Sequence, residues 1–213
     1  MKIALIGASG FVGLSILNEA LDRNHVVTAI VRNPEKITVK NKHLTVKKGD
    51  VLKEYIRSLL TGNDVVISAY NAGWQNPELY KDFINGSEAI LKATKNAGII
   101  RLLVVGGAGS LEASPGVQLV DTPQFPAEWK QGALAARDFL NILIKEQQLE
   151  WTFLSPAIML QPGERTGKYR LGTDQPVFDE KGECKISVAD LAVALIDELE
   201  KPQFIRKRFT VGY

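Results

Sequence analysis

The stretch that most constrains this chain is its first, MKIALIGASGFVGLSILNEAL at residues 1–21. Lys2 to Ile6 is a short, nearly all-apolar run of the kind that forms a strand buried on both faces. Gly7-Ala8-Ser9-Gly10-Phe11-Val12-Gly13 follows, and apolar residues at helical spacing come next, at Val12, Ile16, Leu17 and Leu21. Strand, glycine turn and helix in this order make a phosphate cradle. Gly7 permits the tight turn, Gly10 lets backbone approach a pyrophosphate, and Gly13 lets the helix pack on the strand. The helix start at Phe11 and Val12 adds unpaired N–H groups and a positive dipole end. Glycine turns also end strands for purely structural reasons; here both flanking elements are present. The stretch therefore reads as a dinucleotide site built on Gly7, Ser9, Gly10, Phe11, Val12 and Gly13.

Strand-like and helix-like segments then alternate to the end, which predicts an α/β fold: a doubly wound parallel sheet with helices on both faces. Strands are expected at His25–Val31, Leu44–Val46, Val65–Ala69, Arg101–Val105, Trp151–Ser155 and Phe209–Val211. Helices are expected over Val51–Leu60, from Pro77 to a Gly98 cap, over Ala133–Gln147, and from a capping box at Ser187–Asp190 through Glu200. Residues 112–128 carry three prolines and read as a loop or lid above the sheet. Residues 161–185, rich in glycine and charge, read as a small substrate-side excursion with short strands. No linker or repeat beyond the two βαβ halves divides the 213 residues, so one domain over 1–213 is expected.

The second strand ends in Val31-Arg32-Asn33-Pro34-Glu35-Lys36. An NAD site places an acid near here to bond the ribose 2′-hydroxyl; this chain places Arg32, with Lys36 close by. A guanidinium fork suits a 2′-phosphate, so NADP(H) is favoured over NAD(H). The bland alternative is that Arg32 only solvates a strand end. Gly49-Asp50-Val51 follows the third strand, where Asp50 either accepts from the adenine amino group or caps the next helix. Ala69-Tyr70-Asn71-Ala72-Gly73 follows the fourth, at the carboxyl edge where open α/β sheets bind ligands. Tyr70 and Trp74 are candidate pocket walls.

A net charge of +2 without a basic run gives no reason to expect nucleic acid. No apolar run approaches the ~20 residues that span a bilayer. Cys184 is the one cysteine, so no internal disulfide forms, and with Met1 leading straight into the first strand the chain reads as cytoplasmic. His25 and His43 lack metal-ligand spacing and no Gly-x-Ser-x-Gly elbow occurs, so neither a metal site nor a serine hydrolase is expected. Quaternary structure stays open between monomer and homodimer.

Taken in order, Gly7-Ala8-Ser9-Gly10-Phe11-Val12-Gly13, Val31-Arg32-Asn33-Pro34, Gly49-Asp50-Val51, Val105-Gly106-Gly107-Ala108-Gly109-Ser110, Leu154-Ser155-Pro156-Ala157 and Ile186-Ser187-Val188-Ala189-Asp190-Leu191-Ala192 resemble the short-chain dehydrogenase/reductase superfamily, in its atypical NAD(P)H-binding branch. That branch holds proteins named as NADH-flavin reductases, biliverdin reductase B-like proteins, NmrA-like regulators and relatives of the epimerases and dehydratases. The resemblance implies a Rossmann fold with the nicotinamide near Ser110 and Pro156, Ser155 and Ala157 flanking it, and Ser110 as the hydroxyl nearest the reacting group. It also exposes a departure. Members that interconvert alcohols and carbonyls use a Tyr-x-x-x-Lys pair as general acid and base. The matching place here is Trp129-Lys130-Gln131-Gly132-Ala133, and an indole cannot supply a proton. Three readings follow. One is a reductase passing hydride from NADPH to a flavin, quinone or similar small-molecule acceptor, walled by Trp74, Trp129 and Tyr169. Another is an epimerase- or dehydratase-like enzyme whose acid is Ser110, Tyr70 or Tyr169. The last is a non-catalytic NADPH sensor.

Overall fold

The computed structural model describes residues 1–53 and 55–213. In chain order it runs β1 (Lys2–Ile6), α1 (Phe11–Asp22), β2 (Val26–Val31), β3 (Leu44–Lys48), α2 (Arg57–Leu60), β4 (Val65–Ser68), α3 (Leu79–Asn96) and β5 (Arg101–Val105). A hairpin follows, β6 (Glu112–Ser114) and β7 (Val117–Gln118), then α4 (Ala127–Ile144), β8 (Glu150–Ser155) and β9 (Met159–Gln161). The chain closes with β10 (Arg170–Gly172), β11 (Lys185–Ser187), α5 (Val188–Glu200) and β12 (Lys207–Gly212).

Eight strands form one sheet in the order β10-β12-β8-β5-β4-β1-β2-β3, parallel throughout except for the antiparallel edge strand β10. This is the doubly wound Rossmann arrangement expected from the alternating pattern. Helices α1 and α5 cover one face, with Leu5, Leu17, Leu103, Leu154 and Leu195 among the buried side chains between them and the sheet. Helices α3 and α4 cover the other, over Ile6, Val66, Val104 and Phe153. The strands are buried on both faces, which is why they read as apolar runs and not as alternating ones. Strand order reverses between β1 and β4, and the carboxyl ends of those two strands open the crevice where such sheets hold ligands.

Several boundaries differ from the sequence expectation. The expected helix over Val51–Leu60 shrinks to the single turn Arg57–Leu60, while Val51–Lys53 forms a turn; Glu54 lies outside the described residues. Asp50 caps that turn, its Oδ1 accepting from the Leu52 N–H at 3.1 Å, a side-chain-to-backbone bond that competes with a helix start. Helix α4 begins at Ala127, six residues earlier than expected, because Pro126 sits at its N-cap, where a proline's missing N–H costs nothing. The expected loop over 112–128 holds the β6–β7 hairpin and this first helical turn. At α5 the expected cap is present: Ser187 Oγ accepts from the Asp190 N–H at 3.0 Å.

Gly106 ends β5 under the Phe153 ring, which lies 1.9 Å from where a Cβ would stand, whereas a Cβ on Gly107 would meet only Ala136 at 3.5 Å. Gly106→Ala should therefore overpack the core by roughly 2–3 kcal/mol, lowering the melting temperature by about 5–10 °C in a chain of this size. Gly107→Ala should shift it by no more than about 2 °C. Differential scanning calorimetry of the two variants checks the pair; equal shifts would contradict the packing.

Candidate cofactor site

The site starts from the turn after β1. Gly7 has φ +81°, and a Cβ there would lie 2.5 Å from the Ala69 carbonyl oxygen at the end of β4. Gly13 is tighter still, since its Cβ would fall 2.1 Å from the Gly7 carbonyl oxygen. Both glycines are thus required by the protein's own packing, and they bring the first turn of α1 against the carboxyl edge of the sheet. Gly10 differs. It is the N-cap of α1 with extended backbone (φ −81°, ψ 169°), and the one atom near its missing Cβ is the Gly7 oxygen at 3.4 Å. Glycine here leaves space on the outer side of the turn, as a cradle for a pyrophosphate needs. No side chain caps α1 and no acidic residue stands in its first turn, so its end keeps donor N–H groups and a positive dipole.

A cleft of about 710 Å³ opens beside the cradle. Gly7, Ser9 and Gly10 form one wall, and Ala69, Tyr70 and Asn71 from the end of β4 form another. The far end is lined by Arg32, Asn33 and Lys36 after β2, by Lys48 at the end of β3, and by Asp50 and Val51 after it. Nine residues assigned to cofactor binding from sequence thus share one cleft. The rest fall outside it. Phe11 is exposed and Val12 packs partly against the core under α1, Gly13 serves the helix–strand contact, and Ser155 and Ala157 are buried at the end of β8 beside Pro156. Lys48, Leu52 and Lys53 also line the cleft and were not assigned from sequence. Lys48, in Lys47-Lys48-Gly49-Asp50, was legible as a cation at a strand end. Among the described residues none of Arg32, Lys36 and Lys48 is engaged in an ion pair.

Three expected site residues have other employment. Tyr70 stacks on Phe83 with ring centroids 6.0 Å apart, and its hydroxyl donates to the Asp82 carbonyl at 2.9 Å. Burial, helped by the nearby Asp82 charge, pushes its pKa up to about 12, so it stays a neutral wall of the cleft. Tyr169 does not reach the site. Its hydroxyl donates to Asp197 at 2.5 Å, and Asp197 pairs with Arg23 just beyond the end of α1. That is the opposite end of a 12-residue helix from Gly10, or roughly 18 Å away. The glycine- and charge-rich composition of 161–185 did not reveal that Tyr169 is drawn to α5. Ser110 is 1% exposed, in a short turn after β5, with Oγ 3.4 Å from the Gly107 carbonyl and 3.4 Å from Ser155 Oγ.

The place matched to the missing Tyr–Lys pair is built differently too. Trp129 sits on the exposed first turn of α4, while Ala133 is buried, with its Cβ 2.8 Å from where a Cβ on Gly109 would be. The turn bearing Ser110 therefore rests on α4 at a position that a long lysine would disrupt. Trp74 lies along the same helix, 2.7 Å from a Cβ built at Gly132. Trp74 and Trp129 are 59% and 52% exposed, and form an aromatic rim at the start of α4.

A family model described as NAD(P)H-binding matches residues 7–202. The chain belongs to this NAD(P)H-binding family. A curated relative from Bacillus subtilis (strain 168), the uncharacterized protein YwnB, is 41% identical over 214 residues, spanning 99% of this chain and 98% of its own. A solved structure from Bacteroides thetaiotaomicron, of a protein named by inference as an epimerase, is 48% identical with a TM-score of 0.93, over 100% of this chain and 96% of that one. Another, from Streptococcus pneumoniae TIGR4 and named by inference as an NADH-flavin reductase, is 39% identical with a TM-score of 0.87, over 100% and 99%. The anaerobilin reductase ChuY of Escherichia coli O157:H7, at 19% identity and a TM-score of 0.74, shares the fold. The residues fit the family's cofactor: two glycines close the turn and a third keeps its outer face clear. Among the described residues no three His, Cys, Asp or Glu side chains cluster as a metal site, and no helix is long and apolar enough to cross a membrane.

Because Gly10 is bare for a ligand and Gly13 for the fold, their variants should separate. Gly10→Val should keep the melting temperature of the free protein within a few degrees and weaken NADPH binding at least tenfold, a loss of about 1.4 kcal/mol or more. Gly13→Val should fail to fold stably. Calorimetry with fluorescence titration of NADPH checks both, and a Gly10→Val protein with unchanged affinity would remove the cradle.

Proposed function

We propose that this protein is an NADPH-dependent reductase passing hydride to a flavin, quinone or similar flat conjugated acceptor, without a protein general acid. The observation that carries the reaction class is that no candidate acid stands ready in the cleft, while Trp74 and Trp129 stand exposed at the start of α4. Tyr70 is bonded to Asp82, Ser110 is buried, and Ala133 stands where a lysine would lower a neighbour's pKa. Reduced nicotinamide supplies a hydride when bound. A conjugated acceptor takes that hydride with both its electrons and collects its proton from water, so the missing Tyr–Lys pair is no defect. The relative named as an NADH-flavin reductase supports this class.

The choice of NADPH rests on Arg32, Lys36 and Lys48, three cations from two strand ends around one part of the cleft. A 2′-phosphate there meets a guanidinium fork and two ammonium groups; each charge-assisted bond is worth about 1.5–3 kcal/mol. An epimerase-like reading, which the Bacteroides relative's name suggests, needs a proton donor, and of Ser110, Tyr70 and Tyr169 it is Tyr70, neutral to about pH 12, that lines the cleft.

Two measurements test this. Arg32→Ala should weaken NADPH about tenfold or more and leave NADH nearly unaffected; equal losses for both would contradict the 2′-phosphate assignment. Stopped-flow absorbance of bound NADPH against flavins and quinones should show acceptor-dependent oxidation that persists in Trp129→Phe and falls in Trp129→Ala. If no acceptor outpaces the buffer blank, the protein is a sensor and not a reductase. The Tyr70→Phe variant separates the rivals further. A raised tyrosine pKa leaves the phenol protonated from pH 6 to 9, so its removal should not alter the pH profile there, whereas an epimerase using it would lose turnover.

A further inference from the structure

Buried polar side chains converge where β12 runs alongside the carboxyl end of β8, on the α4 side of the sheet. Register pairs Arg208 with Phe153 and Thr210 with Ser155. Phe209 and Val211 belong to the core under α5, so the alternating residues Arg208 and Thr210 face the other way, as Phe153 and Ser155 do. Ser110 closes the group from above: its Oγ is 3.4 Å from Ser155 Oγ and 3.4 Å from Arg208 Nη1. Arg208 also donates to the Ser110 carbonyl. Thr210 is 0% exposed and the Arg208 side chain 10%. Within this group Thr210 Oγ1 and Arg208 Nε have no hydrogen-bond partner among the described residues, and every contact of Ser110 Oγ is at the long limit.

The cluster is rich in donors and poor in anions. Among the described residues the one carboxylate on Arg208 is Asp174, bonded to Nη2, and the Asp174 side chain is itself 62% exposed. A buried guanidinium facing solvent through a single exposed carboxylate is a poor resting arrangement, because a desolvated charge needs a full set of partners. Asp174 lies in the excursion after β10, and its carbonyl accepts from the Glu112 N–H at 2.8 Å at the start of the β6–β7 hairpin. Both segments that border the substrate side of the sheet thus meet over Arg208.

We infer that Arg208, with Ser110, Ser155 and Thr210, forms a subsite for an anionic group on the acceptor, a carboxylate or phosphate on its tail, and that Asp174 occupies Arg208 until that group displaces it. Exchanging one anion for another leaves the guanidinium paired throughout, while the backbone bond from Glu112 to Asp174 still joins the two bordering segments. The inference rests on the reductase reading for the identity of the ligand as an acceptor, but anion preference is measurable without turnover.

The test uses matched probes: FMN against riboflavin, and a carboxylate-bearing naphthoquinone against its parent. Binding to the NADP⁺-saturated protein is followed by flavin fluorescence and by quinone displacement. The protein should hold the anionic member of at least one pair about tenfold tighter; the flavin arm reports phosphate and the quinone arm carboxylate. Arg208→Gln should bring that ratio near one, Arg208→Lys should restore part of it, and Asp174→Asn should raise it. If Arg208→Gln does not fold, Asp174→Asn alone decides, because its side chain is exposed. No preference for either anionic probe, or a ratio unmoved by both substitutions, would overturn the subsite. A clasp that merely pins the two segments would weaken both members of each pair alike, and that outcome also overturns it. Loss of acceptor-dependent NADPH oxidation with the preference intact would instead sink the reductase reading.

Discussion

The structure depends on bare backbone touching bare backbone where α1 meets the turn after β1. Gly13 would place a Cβ 2.1 Å from the Gly7 carbonyl, and Gly7 one at 2.5 Å from the Ala69 carbonyl. With no side chains between them, the start of α1, the end of β1 and the end of β4 come together at the point where strand order reverses. The cofactor site uses this junction. The uncapped N–H groups of α1 point over it, and the cleft lined by Arg32, Lys36, Lys48 and Lys53 opens beside it.

Away from the junction the fold is secured at the other edge. Glu19 is buried near the end of α1, where hydrogen bonds from Arg165, against the cost of burial and with help from Arg23, hold its carboxyl below the usual carboxylate range. Asp190 gathers Thr166, Gly167 and Tyr213. These bonds tie the excursion to α1, α5 and β12, which is why Tyr169 ends up there. Charge-assisted bonds of this kind fix orientation more than they add net stability.

The central sheet was legible because its strands are apolar runs bounded by glycine or polar turns, and the phosphate cradle because strand, turn and helix occur together. What escaped the sequence depends on competition between local and tertiary preferences. Helical spacing over Val51–Leu60 lost to the Asp50 side-chain bond with Leu52 N–H. The early start of α4 was masked by Pro126, which serves as its N-cap. Lys48 was visible as a residue but not as a cleft residue, since its role depends on β3 ending beside β2. Arg208 gave no signal at all: a single arginine in a terminal strand acquires meaning only when β12 inserts between β8 and β10.

The central claim is that hydride moves to the acceptor without a proton donated by the protein. Kinetic isotope effects test it most directly. With NADPH deuterated at the transferred position, single-turnover oxidation by the best acceptor should slow clearly. The same step in deuterium oxide should be almost unchanged and flat from pH 6 to 9. A large solvent isotope effect on that step, with a pH dependence abolished by replacing one side chain, would contradict the account.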